Sequence, residues 1–281
     1  VAAPQQARPR AGGAAAMTAI LEISGLTKSF AGVRAVDGLS FAVEAGSITG
    51  LIGPNGSGKT TTIDCISGFQ PIDAGTVVLA GVDVTARPPH AIARAGLART
   101  FQNVQLYETL PLLDNLLIAA QQFDEAGWAD ELLRTRRYRR AVSAAEARAH
   151  RLIELIGLKP YAAVETQIFS YGQKKLVALA AALMPHPKIV VLDEPVAGVD
   201  PTRIREIEGI LRSVNAAGET FLIVEHNVEF ITNLCDQVIV LDQGHKLAEG
   251  PAEAIHADPR VLEAYLGMTP EMAAAEMREA P

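Results

Sequence analysis

Apolar positions along the chain fall into two rhythms that alternate from one region to the next. Short runs bounded by glycine predict strands at Ile20–Leu26, Val33–Val36, Leu39–Val43 and Ile48–Ile52, with Gly25, Gly32, Gly38 and Gly46 as punctuation. A helical run follows, ending near Gly68, then a β stretch from Gly75 to Leu79 and a helix opening at Pro88-Pro89 and reaching about Ala95. Three- and four-residue spacing predicts helices over Leu112–Trp128 and Glu131–Leu158, and another over Leu176–Met184, closed by Pro185. Ile189–Leu192 and Phe221–Val224 are unbroken apolar runs, which marks strands buried on both faces of a parallel sheet. Gln237–Leu241 and Lys246–Ala248 read as a hairpin turning at Gln243-Gly244, before a last helix over Pro259–Leu266. The middle helices stand between two groups of strands and so read as an inserted helical subdomain. Residues 1–16 have no periodicity and are expected to be a disordered extension, with the natural start at Met17.

Candidate chemistry sits where runs end. Gly53-Pro54-Asn55-Gly56-Ser57-Gly58-Lys59-Thr60-Thr61 follows a strand and opens a helix. Glycines let consecutive N–H groups point inward, the helix end adds its positive dipole, and the set cradles a polyphosphate. Lys59 is then expected to reach the β and γ phosphates, and the Thr60 hydroxyl to help hold Mg²⁺. Asp193-Glu194 closes one buried strand and Glu225-His226 another, on the edge where open α/β sheets bind ligands. Asp193 is a candidate for Mg²⁺, Glu194 for general base, and His226 for contact with a γ-phosphate. Ser170 reads as an N-cap ahead of Tyr171-Gly172-Gln173-Lys174-Lys175, a second anion-friendly helix end that alone is a common capping pattern. Phe30, in the turn after the first strand, either stacks on a base or packs in the core. Gln102 taken alone is an uninformative polar loop residue.

Composition narrows the classes. The chain has 281 residues, 49% hydrophobic and 20% charged, enough for one large domain or a core with a satellite. No apolar run approaches the roughly 18 residues that cross a bilayer, so service to a membrane process would be as a peripheral subunit. A formal charge of −7 argues against a general nucleic-acid binder. The basic stretch Arg134, Arg136, Arg137, Arg139 and Arg140 is either a solvated face or a contact for anionic headgroups or an acidic partner. Cys65 and Cys235 read as small buried thiols, and no zinc site is expected.

Taken together in order, these motifs resemble the nucleotide-binding subunits of ABC transporters, with a match over about residues 18–267. The phosphate loop is Gly53–Thr61, the glutamine loop Gln102, the signature Ser170-Tyr171-Gly172-Gln173, the acidic strand end Asp193-Glu194, the aspartate loop Asp200, and the switch histidine His226. Arg99-Thr100-Phe101-Gln102-Asn103, the long helical insert, Tyr171 in place of the usual glycine, Glu225-His226-Asn227 and Val261–Gly267 are most similar to ATPases of the branched-chain amino acid importers. Phe169 and Lys174-Lys175 depart from that pattern.

The resemblance implies an α/β P-loop NTPase core with an N-terminal antiparallel β subdomain and an inserted α-helical subdomain at about 103–185. Residues 1–17 would be an extension and 268–281 a tail. It implies Mg-ATP as ligand, with Thr60, Gln102 and Asp193 at the metal, and Glu194, His226, Gln102 and Lys59 as the hydrolytic set. It implies a second ATP-binding subunit in a head-to-tail dimer, membrane permease subunits, indirectly a periplasmic solute-binding protein, and a peripheral place on the cytoplasmic face of the bacterial inner membrane. Branched-chain or other hydrophobic amino acids are the expected cargo. The same ATPase could serve urea and short amides, aromatic acids or lipopolysaccharide export, and a non-transport ABC ATPase is a further reading.

Overall fold

The computed structural model describes residues 18–121, 132–133, 135–256 and 258–266. The expected extension and tail, residues 122–131 of the predicted helices, and Arg134 lie outside them. Two sheets organise the rest. Strands β1 (Ala19–Phe30), β2 (Val33–Glu44), β4 (Ala74–Leu79) and β5 (Val82–Asp83) form an antiparallel sheet in the order β2-β1-β4-β5. Strands β3 (Ile48–Ile52), β6 (Leu97–Arg99), β7 (Ile189–Asp193), β8 (Phe221–Val224), β9 (Gln237–Asp242) and β10 (His245–Pro251) form the second, in the order β10-β9-β3-β8-β7-β6. All but β10 run parallel. The described helices are α1 (Lys59–Ile66), α2 (Pro89–Ala95), α3 (Leu112–Gln121), α4 (Arg136–Leu155), α5 (Tyr171–Leu183), α6 (Pro201–Ala216), α7 (Val228–Leu234), α8 (Ala252–His256) and α9 (Pro259–Leu266).

The unbroken apolar runs are explained by two cores, one on each face of the parallel sheet. Val190, Leu192, Phe221, Ile223, Val238 and Val240 face the larger core, shared with α3 to α7. Their sequence neighbours Ile189, Val191, Leu222, Val224, Ile239 and Leu241 face the other core, shared with the antiparallel sheet and α1. Successive side chains of a strand point to opposite faces, so a strand covered on both sides has no polar position to offer. Burying each such side chain contributes roughly 1.5–3 kcal/mol. Cys65 and Cys235 lie in these cores as free thiols, and desolvation pushes Cys65 up to about 11.

Some sequence expectations are corrected. Gly25 and Gly38 do not end strands: both take left-handed φ, +63° and +66°, within the long β1–β2 pair, beside breaks in its register. The Gly25 N–H donates to Ser40 Oγ at 2.8 Å and the Gly38 N–H to Thr27 Oγ1 at 3.1 Å, so side chains replace the missing ladder bonds. Phe30 is the last residue of β1 rather than a turn residue, paired with Val33 across the two-residue turn Ala31-Gly32. Both turn residues have positive φ, the twist that a tight antiparallel hairpin requires, as do Ala80-Gly81 and Gln243-Gly244 in the other two hairpins. Helix α4 is shorter than the predicted Glu131–Leu158, because Thr135 caps it by accepting from the Tyr138 N–H at 3.3 Å and Gly157, at φ +71°, ends it.

Candidate functional site

Because β3, β6, β7 and β8 are parallel, the loops that follow them emerge at one edge of the sheet. That edge gathers residues 53–58, 100–103, 194–200 and 225–227. The loop after β3 comes close to the backbones beside it. A Cβ on Gly58 would lie 2.4 Å from the Ala35 carbonyl oxygen, and one on Gly53 would lie 2.2 Å from that of Leu241. Glycine is therefore required sterically at both positions. Lys59 is buried, and its ammonium donates to the carbonyls of Gly53 and Pro54 at 2.7 and 3.0 Å. Desolvation holds its pKa below the usual lysine range, against the pull of Glu194 and Asp193.

The donor set of this loop suits a polyphosphate. Helix α1 begins at Gly58 with no side-chain cap and no acidic residue in its first turn, so its leading N–H groups are open to an anion. Ser57 Oγ is buried with no hydrogen-bond partner. Asn55, Gly56 and Thr60 are exposed, while Pro54 and Thr61 are half-buried.

At the end of β7 the two acids stand in different surroundings. Asp193 is buried, with Oδ2 accepting from Arg99 Nη2 at 3.0 Å, and desolvation raises its pKa more than Arg99 lowers it. Arg99 also donates through Nη1 to Asp64 Oδ1 at 2.7 Å and to Ser67 Oγ at 2.9 Å, tying β6 and α1 to the end of β7. Its guanidinium stacks on Phe101 and Phe69, 4.9 and 5.7 Å from the ring centroids. Glu194 has φ +50°, a conformation costly for a residue with a side chain, and its N–H donates to the Val224 carbonyl at 2.9 Å. Its Oε2 accepts from Gln102 Nε2 at 2.9 Å, and its Oε1 lies 3.9 Å from Nδ1 of the exposed His226.

Glu225 is fully buried. Its Oε1 accepts from the Val196 N–H at 3.0 Å, and its Oε2 from the His226 and Asn227 N–H groups at 3.1 and 3.4 Å. One carboxylate thus pins the loop bearing Glu194 to the loop bearing His226. From the sequence only His226 of this pair is given a role, and Arg99 none. A charged residue bordering a buried run was the available signal for each.

Ser170 and Gln173 form a reciprocal cap at the start of α5. Ser170 Oγ accepts from the Gln173 N–H at 3.3 Å, and Gln173 Oε1 accepts from the Ser170 N–H at 2.9 Å. Tyr171 Oη donates to the Gln102 carbonyl at 3.0 Å, and a Cβ added at Gly172 would lie 3.5 Å from the Val199 side chain. Asp200 caps α6, its Oδ1 accepting from the Thr202 N–H at 2.9 Å and the Thr202 hydroxyl at 2.7 Å, and these bonds hold its pKa low. Phe30 is exposed, with Lys28 Nζ 5.3 Å from its ring centroid. The structure therefore joins Gln102, Asp193, Glu194 and His226 into one cluster with Lys59 in its field.

Sequence and structure comparisons agree with this architecture. Residues 36–197 match the family model described as ABC transporter, and residues 245–267 match one described as branched-chain amino acid ATP-binding cassette transporter. The chain is 35% identical over 249 residues to the high-affinity branched-chain amino acid transport ATP-binding protein BraF of Pseudomonas aeruginosa, covering 88% of this chain and 98% of that one. It is 38% identical over 248 residues to the probable branched-chain amino acid transport ATP-binding protein LivG of Archaeoglobus fulgidus, covering 88% and 95%. Among solved structures, the ADP conformation of MJ1267, an ATP-binding cassette of an ABC transporter, is similar with TM-score 0.77 and 33% identity, over 89% of this chain and all of that one.

Proposed function

The chain belongs to the ABC transporter family of ATP-binding cassettes, and on that premise we propose that it is the ATP-hydrolysing subunit of an importer for branched-chain amino acids. The observation that carries the mechanism is the Glu194 carboxylate held by Gln102 at 2.9 Å, on the same sheet edge as an uncapped helix start and a buried lysine. ATP is the substrate. Backbone N–H groups of the loop from Asn55 to Thr61 and the Lys59 ammonium hold its phosphates, with Ser57 Oγ as a further donor. Thr60, Gln102 and Asp193 would hold Mg²⁺, which offsets charge on the β and γ phosphates. Glu194 orients a water and accepts its proton, while His226 contacts the γ-phosphate.

Two such subunits stack head to tail, so that Ser170–Gln173 of one meets the nucleotide on the loop of the other. The start of α5 then brings a second set of N–H groups to the γ-phosphate, and loss of that phosphate releases the pair. Gln102 and the helical insert pass this movement to permease subunits, with a periplasmic solute-binding protein delivering cargo. The subunit itself sits peripherally on the cytoplasmic face of the inner membrane. Among the described residues no helix is long and apolar enough to cross a membrane. The branched-chain reading rests on the named relatives and on the match at 245–267, because the ATPase does not touch cargo.

The test is Glu194→Gln. ATP binding is expected to persist, hydrolysis to fall by on the order of 10² or more, and a closed dimer to accumulate with ATP in size-exclusion chromatography. Near-normal turnover removes Glu194 from the role of base. For cargo, ATPase activity of the assembled transporter is expected to rise with leucine, isoleucine or valine and its binding protein, and a rise only with urea or an aromatic acid redirects the assignment.

A further inference from the structure

Tyr171 stands where most ABC proteins carry glycine, and Lys175 one helical turn later is also a departure. In the fold the two act on the same pair of loops. Positions four apart on a helix share a face, and the Lys175 ammonium lies 5.4 Å from the centre of the Tyr171 ring. Beyond that contact the ring packs on Gly198, where an added Cβ would lie 3.3 Å from Tyr171 Cε1, so glycine leaves the ring its place. The Tyr171 hydroxyl donates to the backbone carbonyl of Gln102 at 3.0 Å. Lys175, buried along its stem, donates to the backbone carbonyl of Glu194.

Each of these backbone groups belongs to a residue whose side chain works at the cluster. The Gln102 amide holds the Glu194 carboxylate at 2.9 Å, and the Glu194 carbonyl accepts from both the Ala197 N–H, at 3.3 Å, and the Lys175 ammonium. Helix α5 therefore grips, through two side chains, the two ends of the Gln102–Glu194 hydrogen bond. Its first residues are the ones that meet the nucleotide of the opposite subunit.

We propose that Tyr171 and Lys175 are positioning residues that latch the signature helix to the Gln102 and Glu194 loops of the same subunit, so that seating one nucleotide on Ser170–Gln173 sets the base at the other nucleotide. This rests on the head-to-tail reading above. A shift of α5 toward the opposite nucleotide moves Gln102 and Glu194 with it, because both links are to main chain. The two sites are thereby coupled through a single helix, and the coupling appears as cooperativity in ATP.

The experiment measures ATPase rate against ATP concentration for the full chain, its Tyr171→Phe variant, and its Lys175→Met and Lys175→Arg variants. Tyr171→Phe keeps the ring on Gly198 and removes only the hydroxyl. The Hill coefficient of the unaltered chain is expected to lie between one and two, and to fall to about one in Tyr171→Phe and Lys175→Met, with kcat down by about fivefold, the scale of one lost hydrogen bond. Lys175→Arg, which keeps a cationic donor, is expected to recover the cooperativity. A merely structural role would lower activity and leave the Hill coefficient in place, and that result overturns the latch, as does an unaltered chain with a coefficient of one. Closure is read separately, by ATP-dependent dimerisation of Glu194→Gln with and without Tyr171→Phe. Dimers in both, with cooperativity lost, are the expected outcome. If Glu194→Gln stays monomeric with ATP, the head-to-tail reading falls and the latch falls with it; if it dimerises and cooperativity survives Tyr171→Phe, the latch alone falls.

Discussion

At the scale of single residues, the site depends on buried charges whose partners are mostly main chain. Glu225 is the clearest instance: fully buried, it accepts from three backbone N–H groups and thereby fixes the turns that carry Glu194 and His226. Three hydrogen bonds to one carboxylate offset its desolvation, and deleting it would leave three donors without a partner. Glu225→Ala is expected to lower unfolding stability by roughly 2–4 kcal/mol, seen as a lower urea midpoint at unchanged slope. Glu225→Gln, which keeps one acceptor oxygen, is expected to lose less. Equal losses in the two variants would show that shape at this position matters rather than acceptance. The glycines of the phosphate loop act by the opposite means, through absence of a side chain, since at Gly53 and Gly58 the β9 and β2 backbones occupy the space of a Cβ.

At the scale of elements, the short strand β6 matters out of proportion to its length. It delivers Arg99 to three acceptors on α1 and β7, and the planar guanidinium serves Asp64 and Asp193 at once, which a lysine cannot do. Arg99→Lys is expected to raise the Mg²⁺ concentration for half-maximal ATPase by about tenfold, the scale of loosening a partner of Asp193, the carboxylate proposed to hold Mg²⁺. A Mg²⁺ titration that does not move would detach Arg99 from that role. Elements of this kind are also where the sequence falls silent. Ile189–Leu192 and Phe221–Val224 announce themselves because burial on both faces removes every polar position. β6 is three residues long and alternates no pattern. Helix α6 buries only Ile207, Leu211 and Val214 along 16 residues, a stripe too thin to stand out, although Asp200-Pro201 marks its start. The motif residues were legible because loop chemistry is written in consecutive letters. The ion pairs of Arg99 and the carbonyl contacts of Tyr171 and Lys175 join residues 35 to 94 positions apart, or main-chain atoms that no letter encodes.

At the scale of the whole molecule, the parallel sheet and the helical insert meet along an open cleft of about 750 Å³. One wall comes from α2, Phe69 and Arg99, the other from α3 and the end of α5, so its width follows the position of the helices relative to the sheet. Phe69 and Phe101 line it as an edge-to-face pair, 5.4 Å between centroids, and both are exposed while Arg99 beneath them is buried. Exposed paired aromatics are the kind of surface that an apolar segment of a partner would bury, and Arg99 beneath them is bonded to Asp193. The cleft adjoins the Gln102 loop through Phe101, so the permease contact of the proposed importer is expected here. Phe69→Asp places a charge on this wall away from the nucleotide loop. It is expected to weaken retention of the permease in co-purification by about tenfold or more, the scale of losing one aromatic anchor. Retention at the level of the unaltered chain would move the permease contact off this cleft and onto another face, with the basic stretch of α4 at Arg136 and Arg140 the next to test.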